Sequence, residues 1–316
     1  MHIIDAHCDA LTKFIQHSDL NFEQNDPRLD CSLPRLQQGN IKIQWFAIYC
    51  NELMIMPHYG HIKQMIDVFT SQVIHRGQLQ WIKNKQDVQE VMASNRRGAI
   101  LTLEGVGALQ AQPSLVHDLF ANGVRFIGIT WNYANWAADG IFEPRNGGFT
   151  LKGRELLVEM DRVGMLSDVS HLSERGFWEL SALTTKPFIA SHSNAKAVCT
   201  HSRNLSDDQI KLLIERDGRI GITFVPEFCA NEKHVKIKHM FEHIDHICAL
   251  GGEKYIGFGS DFDGFNQKMR GLEHAGQYTD LAKELEKNYT FAQIEGFLYR
   301  NWERFLNKHL VDASSD

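Results

Sequence analysis

Short runs of β-branched and aromatic residues alternate along the chain with longer stretches in which apolar residues recur at helical spacing. The runs are HIIDAH (2–7), IKIQWFAIYC (41–50), AILTLEG (99–105), RFIGITW (125–131), LSDVSH (166–171), PFIASH (187–192), RIGITFVP (219–226) and YIGFGSD (255–261). Between them lie GRELLVEMDRVG, SERGFWELSAL, SDDQIKLLIERDG and VKIKHMFEHIDHICALGG, several opened by a Ser or Asp cap and closed by Gly. Strands alternating with helices predict parallel βαβ units, and eight such units make an α/β fold of the (β/α)8 barrel type. No Pro/Gly/Ser-rich linker divides the chain, so residues 1–316 are expected to form one barrel domain with a C-terminal helix. Residues 51–98 hold more helix than one crossover needs. The last segment, TFAQIEGFLYRNWERFLNKHL, sets Phe291, Ile294, Phe297, Leu298 and Phe305 near helical spacing, a stripe expected to pack on the barrel or on a second subunit.

Charge and cysteine usage narrow the partners. With 33 Lys+Arg against 39 Asp+Glu the net charge is -6, which offers no footprint for nucleic acid or an anionic membrane. Small molecules or peptides are the expected partners. The six cysteines are scattered without a C-x-x-C pair, which fits a reducing compartment. MHIIDAHCDALTKF lacks a basic segment followed by a long apolar one, and no window approaches 18 uncharged apolar residues. The expectation is an unanchored, cytoplasmic protein.

In a (β/α)8 barrel the chemistry sits at the carboxyl ends of the strands, where the βα loops open. Those ends here read His7-x-Asp9, Glu104, His171, His192 and Asp261. His7 and Asp9, two apart on a strand, face the same way. Five of eight strand ends thus carry groups that bind divalent metals, and imidazole with carboxylate suits zinc without any thiolate. Three carboxylates and three imidazoles suffice for two ions, with Glu104 placed to bridge them. His239, His243 and His246 share a helical face that imitates a metal site, but that helix is expected outside the barrel, where the histidines have structural roles. GVGAL after Glu104 lacks the spacing and the Lys-Ser/Thr of a phosphate loop and reads as a tight turn. Asp263 and Gly264 fit a turn.

With DAHCDAL, LEGVGAL, DVSHLS, SHSNAKAVCTHSRNL and GFGSDFDG in this order, the sequence resembles the membrane dipeptidase (renal dipeptidase) family of metallopeptidases. The resemblance implies a barrel holding two zinc ions, hydrolysis of dipeptides, including some with a C-terminal D-residue, by a metal-bridging hydroxide, and a homodimer. It makes His7 and Asp9 ligands of one zinc, Glu104 the bridge, and His171 and His192 ligands of the other. Asp261 becomes the carboxylate that handles the proton, and Arg203 the partner of the substrate's carboxylate. In ITWNYANWAADG the carbonyl-polarising histidine of mammalian members is replaced by Trp131, and Trp131 and Asn132 are expected on the substrate side. A tyrosine that helps hold the carboxylate in mammalian members is replaced near Val225 or Pro226. Other amidohydrolase chemistry on the same barrel, toward a cyclic amide, a lactone or a deamination, is the alternative; no lysine ends AILTLEG to supply the carboxylated bridge common there. A barrel that binds without catalysis is a third possibility.

Overall fold

The computed structural model describes residues 1–51 and 56–313. Among these residues nine strands run parallel: β1 (Ile3–Asp5), β2 (Ile41–Tyr49), β3 (Gln80–Trp81), β4 (Gly98–Glu104), β5 (Val124–Gly128), β6 (Leu166–Asp168), β7 (Ile189–Ala190), β8 (Arg219–Ile222) and β9 (Ile256–Phe258). Eight of them close a ring: β1 pairs with both β2 and β9, and β2 pairs directly with β4. The two-residue β3 stays outside it, on Gly98 and Ala99 of β4. It accounts for the surplus chain between residues 51 and 98, which holds the helix Tyr59–Val68, a π-helical turn Phe69–Arg76, β3 and the helix Lys85–Ala93.

Side chains alternating along each strand feed two cores. Ile4, Ile43, Trp45, Ile100, Phe126, Leu166 and Ile189 point into the barrel. Ile3, Phe46, Ile48, Leu101, Leu103 and Ile127 point outward, under the helices. Both faces of every strand are covered, which is why the strands read as continuous apolar runs. The helices begin as their sequences dictate: Ser173 Oγ accepts from Gly176 N at 3.1 Å, and Ser206 Oγ from Gln209 N at 3.3 Å. Among the described residues no helix is long and apolar enough to cross a membrane.

The final helical segment closes the barrel floor. It is broken by a π-helical turn at Gly296–Arg300 between the helices Phe291–Glu295 and Asn301–His309. Phe291, the first residue of this segment, is exposed, while Ile294, Phe297, Leu298 and Phe305 are buried. Trp302, absent from the expected stripe, is fully buried; its ring centroid lies 5.0 Å from that of Trp45, which stacks on Phe126 at 4.2 Å. With the amino-terminal end plugged, only the carboxyl end is left for a site. Trp302→Ala is expected to lower the unfolding free energy by about 3–5 kcal/mol, read from denaturant midpoints. A loss under about 1 kcal/mol would mean that the floor can collapse without the indole.

Candidate metal centre and its cavity

Pairing continued past β1 and β9 sets the first group of side chains. Asp261 N donates to His7 O at 3.2 Å and Asp9 N to Phe262 O at 2.9 Å, so the two strand ends advance side by side into the loops. Candidate ligand atoms of His7, Asp9 and Asp261 lie within 4.8 Å of one another, and so do those of His7, Glu104 and His192. His7 Nε2 is 3.5 Å from Asp9 Oδ2, 3.5 Å from Glu104 Oε2 and 3.7 Å from Asp261 Oδ1. The other oxygen of Glu104 is 2.8 Å from His171 Nε2 and 3.8 Å from His192 Nε2. The structure therefore brings all six strand-end residues into one cluster, with Glu104 in the middle. Among the described residues no other group of three or more such side chains converges in this way.

The backbone is forced to fit. His171 and Asp261 are non-glycine residues in the left-handed region, at φ 70° and 66°. Each costs about 1 kcal/mol or more, which the surrounding bonds must sustain. A Cβ on Gly264 would stand 2.3 Å from Asp9 Oδ2 and 2.5 Å from Asp261 Oδ1. Gly264 is thus what lets the chain pass the two carboxylates. Asp263, read from sequence as a turn residue, accepts from Asp30 N at 2.7 Å and Cys31 N at 3.0 Å, anchoring the loop to a distant segment. On the opposite side Gly221 and Gly259 make room for the Ser191 carbonyl, which a Cβ would meet at 1.9 and 1.8 Å.

The charges explain what the cluster accepts. Burial, with Glu104 adding to it, raises Asp9 above the usual carboxylate range. Burial also holds Asp261 well above that range against the pull of His7, with Asp9 and Glu104 adding to the rise. Glu104 resists burial because His171 and His7 draw it well below the range. His7 likewise overcomes burial through Glu104 and Asp9 and is held well above an ordinary imidazole. Burial, helped by Arg203, pushes His171 down to about 4, and burial, with His7 and Arg203, pushes His192 well down too.

Both outer imidazoles present lone pairs. His171 Nδ1 is 2.7 Å from Asn132 Oδ1, an acceptor, so the ring proton sits on Nδ1. His192 Nδ1 is 2.8 Å from Ser191 Oγ, whose own proton goes to the Asp168 carboxylate. The two Nε2 atoms then face each other at 2.8 Å beside a carboxylate oxygen, an arrangement that asks for a cation between them. His7 Nε2 and Asp9 Oδ1 are buried without a hydrogen-bond partner. This nitrogen and oxygen donor set fits divalent metal ions, zinc in particular.

A cavity of about 220 Å³ opens over the cluster, lined by Asp9, Glu104, His171 and Asp261 with Lys13, Tyr49 and Trp131 among its walls. Trp131 stands in the wall with its ring centroid 6.3 Å from that of His171. Asn132 is turned to His171 rather than left free. Arg203 is buried beside Ser193 and His171, with Nη2 donating to His192 O at 3.3 Å and Nε unpartnered. Burial lowers its pKa to about 10 against the pull of Asp261 and Glu104. The helix histidines are used one by one: His243 Nδ1 accepts from Ala195 N at 3.1 Å, and its Nε2 is 2.9 Å from the Cys229 carbonyl. His246 Nε2 lies 2.7 Å from Asp207 Oδ1, and His239 Nδ1 accepts from Lys236 N at 3.0 Å. Sequence reasoning missed Asp5, Asp168, Ser191 and Ser260; the only local signal was a serine directly before a ligand-type residue in ASH192 and GSD261.

The profile of the membrane dipeptidase family (peptidase family M19) matches residues 1–314. Dipeptidase aclJ of Aspergillus oryzae is 31% identical over 281 residues, 84% of this chain and 66% of that longer protein. An uncharacterized dipeptidase of Schizosaccharomyces pombe is 31% identical over 321 residues, 95% of this chain and 78% of that one. Among solved structures, a metallopeptidase from Rhodobacter sphaeroides, liganded with a phosphinate mimic of the dipeptide L-Ala-D-Ala, superposes with a TM-score of 0.89 at 23% identity, covering 98% of this chain and 99% of that one. The structure of a dipeptidase of the same peptidase family superposes at 0.90 with 24% identity and the same coverage, so the barrel is shared throughout.

Gly221→Ala tests how tightly the centre is built. The added methyl meets backbone, which cannot rotate away, so β7 and His192 must shift. The expected result is a loss of about 2–3 kcal/mol in stability together with weaker binding of zinc, measured by chelator competition. Unchanged zinc binding would show that the Ser191 carbonyl has slack.

Proposed function

The chain belongs to the membrane dipeptidase family and is a metal-dependent hydrolase, and from that premise we propose that it cleaves dipeptides, including those with a C-terminal D-residue, with two zinc ions. The observation that carries this reading is a pair of donor groups that share His7, one with Asp9 and Asp261 and the other with Glu104 and His192. Three imidazoles and three carboxylates exceed what one ion needs, and Glu104 has an oxygen toward each side. His7 and Asp9 would hold one ion, His171 and His192 the other, with Glu104 between. When bound, such a pair supplies Lewis acidity, acidifying an attacking water and polarising the scissile carbonyl.

The remaining steps belong to the protein. Asp261, beside His7 at the mouth of the cluster, receives the water's proton on a carboxylate oxygen and passes it to the leaving amine. Arg203 offers a buried, unpartnered Nε–H to the substrate's free carboxylate. A longer peptide has no carboxylate at that point, which restricts the enzyme to dipeptides. The small cavity agrees with a ligand of that size. Trp131, at the wall where mammalian members of the family carry a histidine, adds an apolar face and one indole N–H but no titratable charge. Asn132 acts through His171, whose ring it orients, rather than on the substrate. Acceptance of a D-residue rests on the ligand of the similar Rhodobacter sphaeroides enzyme.

The direct test is a panel of L-Xaa-L-Xaa and L-Xaa-D-Xaa dipeptides given to metal-free protein before and after two equivalents of zinc. Zinc-dependent release of amino acids is expected; zinc binding without release from any peptide would turn the search to cyclic amides and lactones. Asp261→Asn is expected to lower kcat by roughly 10²–10⁴ at unchanged zinc content. Wild-type turnover with both ions bound would end its proton role. Arg203→Lys is expected to raise KM for free dipeptides and leave C-terminal amides nearly unaffected; equal effects on both would remove Arg203 from the carboxylate.

A further inference from the structure

Two buried aspartates outside the ligand cluster make the same unusual set of bonds. Asp5 ends β1 and Asp168 ends β6, and each grips a serine that follows the neighbouring strand, β9 or β7. Asp5 Oδ1 accepts from Ser260 N at 2.8 Å and Oδ2 from Ser260 Oγ at 2.6 Å. Asp168 Oδ1 accepts from Ser191 N at 3.0 Å and Oδ2 from Ser191 Oγ. In both cases Oδ1 also takes the N–H two residues further along its own chain, His7 N at 3.4 Å and Ser170 N at 3.0 Å. Each serine stands directly before a residue of the centre, Asp261 or His192. Each aspartate stands two or three residues before another, His7 or His171.

We propose that Asp5–Ser260 and Asp168–Ser191 are paired positioning clamps, one for each half of the centre, which hold its side chains in metal-binding geometry. The proposal rests on the metal-dependent reading above. Each clamp ties the last turn of one strand to the next at the place where the chain enters the strained left-handed residue, Asp261 in one half and His171 in the other. Only a carboxylate accepts from two N–H groups and a hydroxyl at once. The second clamp does more: Ser191, having given its proton to Asp168, must accept from His192 Nδ1, which fixes the Nε2 lone pair toward the centre. In Asp168→Asn the amide either opposes the two N–H donors or donates to Ser191. In the latter case the hydroxyl proton turns to His192 Nδ1 and moves the ring proton to Nε2.

The experiment titrates metal-free protein with Zn²⁺ against a chromophoric chelator, records the visible spectrum of the Co²⁺ form, and measures thermal unfolding without metal. Ser191→Ala and Asp168→Asn are expected to weaken one binding step by about 10–100-fold and to shift the Co²⁺ spectrum. Ser260→Ala is expected to lower kcat by about 10–100-fold, with the other clamp's binding step intact. If Ser191→Ala and Asp168→Asn bind metal as the parent does, the clamps are merely structural, whatever happens to the unfolding temperature. Should Asp168→Asn not fold, Ser191→Ala alone decides. A parent that binds zinc yet releases nothing from dipeptides overturns the peptidase reading and leaves the affinity comparison valid.

Discussion

Three carboxylates and three imidazoles share one buried volume at the carboxyl ends of five strands, and in that volume they cannot all be satisfied by one another. Burial and mutual repulsion raise Asp9 and Asp261, while Glu104 stays ionised only through the imidazoles beside it. A cluster so arranged is stable where positive charge is supplied and costly where it is not. The rest of the upper barrel can be understood as a means of keeping these groups from moving apart. Gly264 admits the chain between two carboxylates, Gly221 and Gly259 admit the Ser191 carbonyl, and left-handed backbone at His171 and Asp261 aims the side chains inward.

That rigidity has its foundation at the other end of the molecule. Trp45, Phe126 and Trp302 fill the barrel floor, and the C-terminal helix that carries Trp302 closes it. Filling the amino-terminal half with large apolar side chains fixes the spacing of the strands, so their carboxyl ends arrive at set distances. Stability and chemistry thereby occupy opposite ends of the same strands. The outer imidazoles show how far the support extends, since Asn132 and the Ser191–Asp168 pair decide which ring nitrogen carries the proton.

Trp131 marks the place where the resemblance to mammalian members of the family would put a histidine. It stands in the cavity wall near His171, where it shapes the space available to a substrate without adding charge. The walls of the same cavity also include Lys13 and Tyr49.

The eight barrel strands and the ligand-type residues at their ends were legible in the sequence, because a strand buried on both faces is an unbroken apolar run and a polar residue ending it stands out. The order of the motifs was equally local, and it carried the family. What the sequence did not disclose depends on groups far apart along the chain. β3 is two residues long and exists only because Gly98 and Ala99 offer it an edge. The π-helical turn that precedes the buried Trp302 is not announced by local propensity, which favours an unbroken helix. Ser260 bonds Asp5 across 255 residues, and Ser191 bonds Asp168 across 23. A strand's periodicity is a property of neighbouring residues, whereas a clamp between two strands comes into being only when the closed barrel brings their ends together.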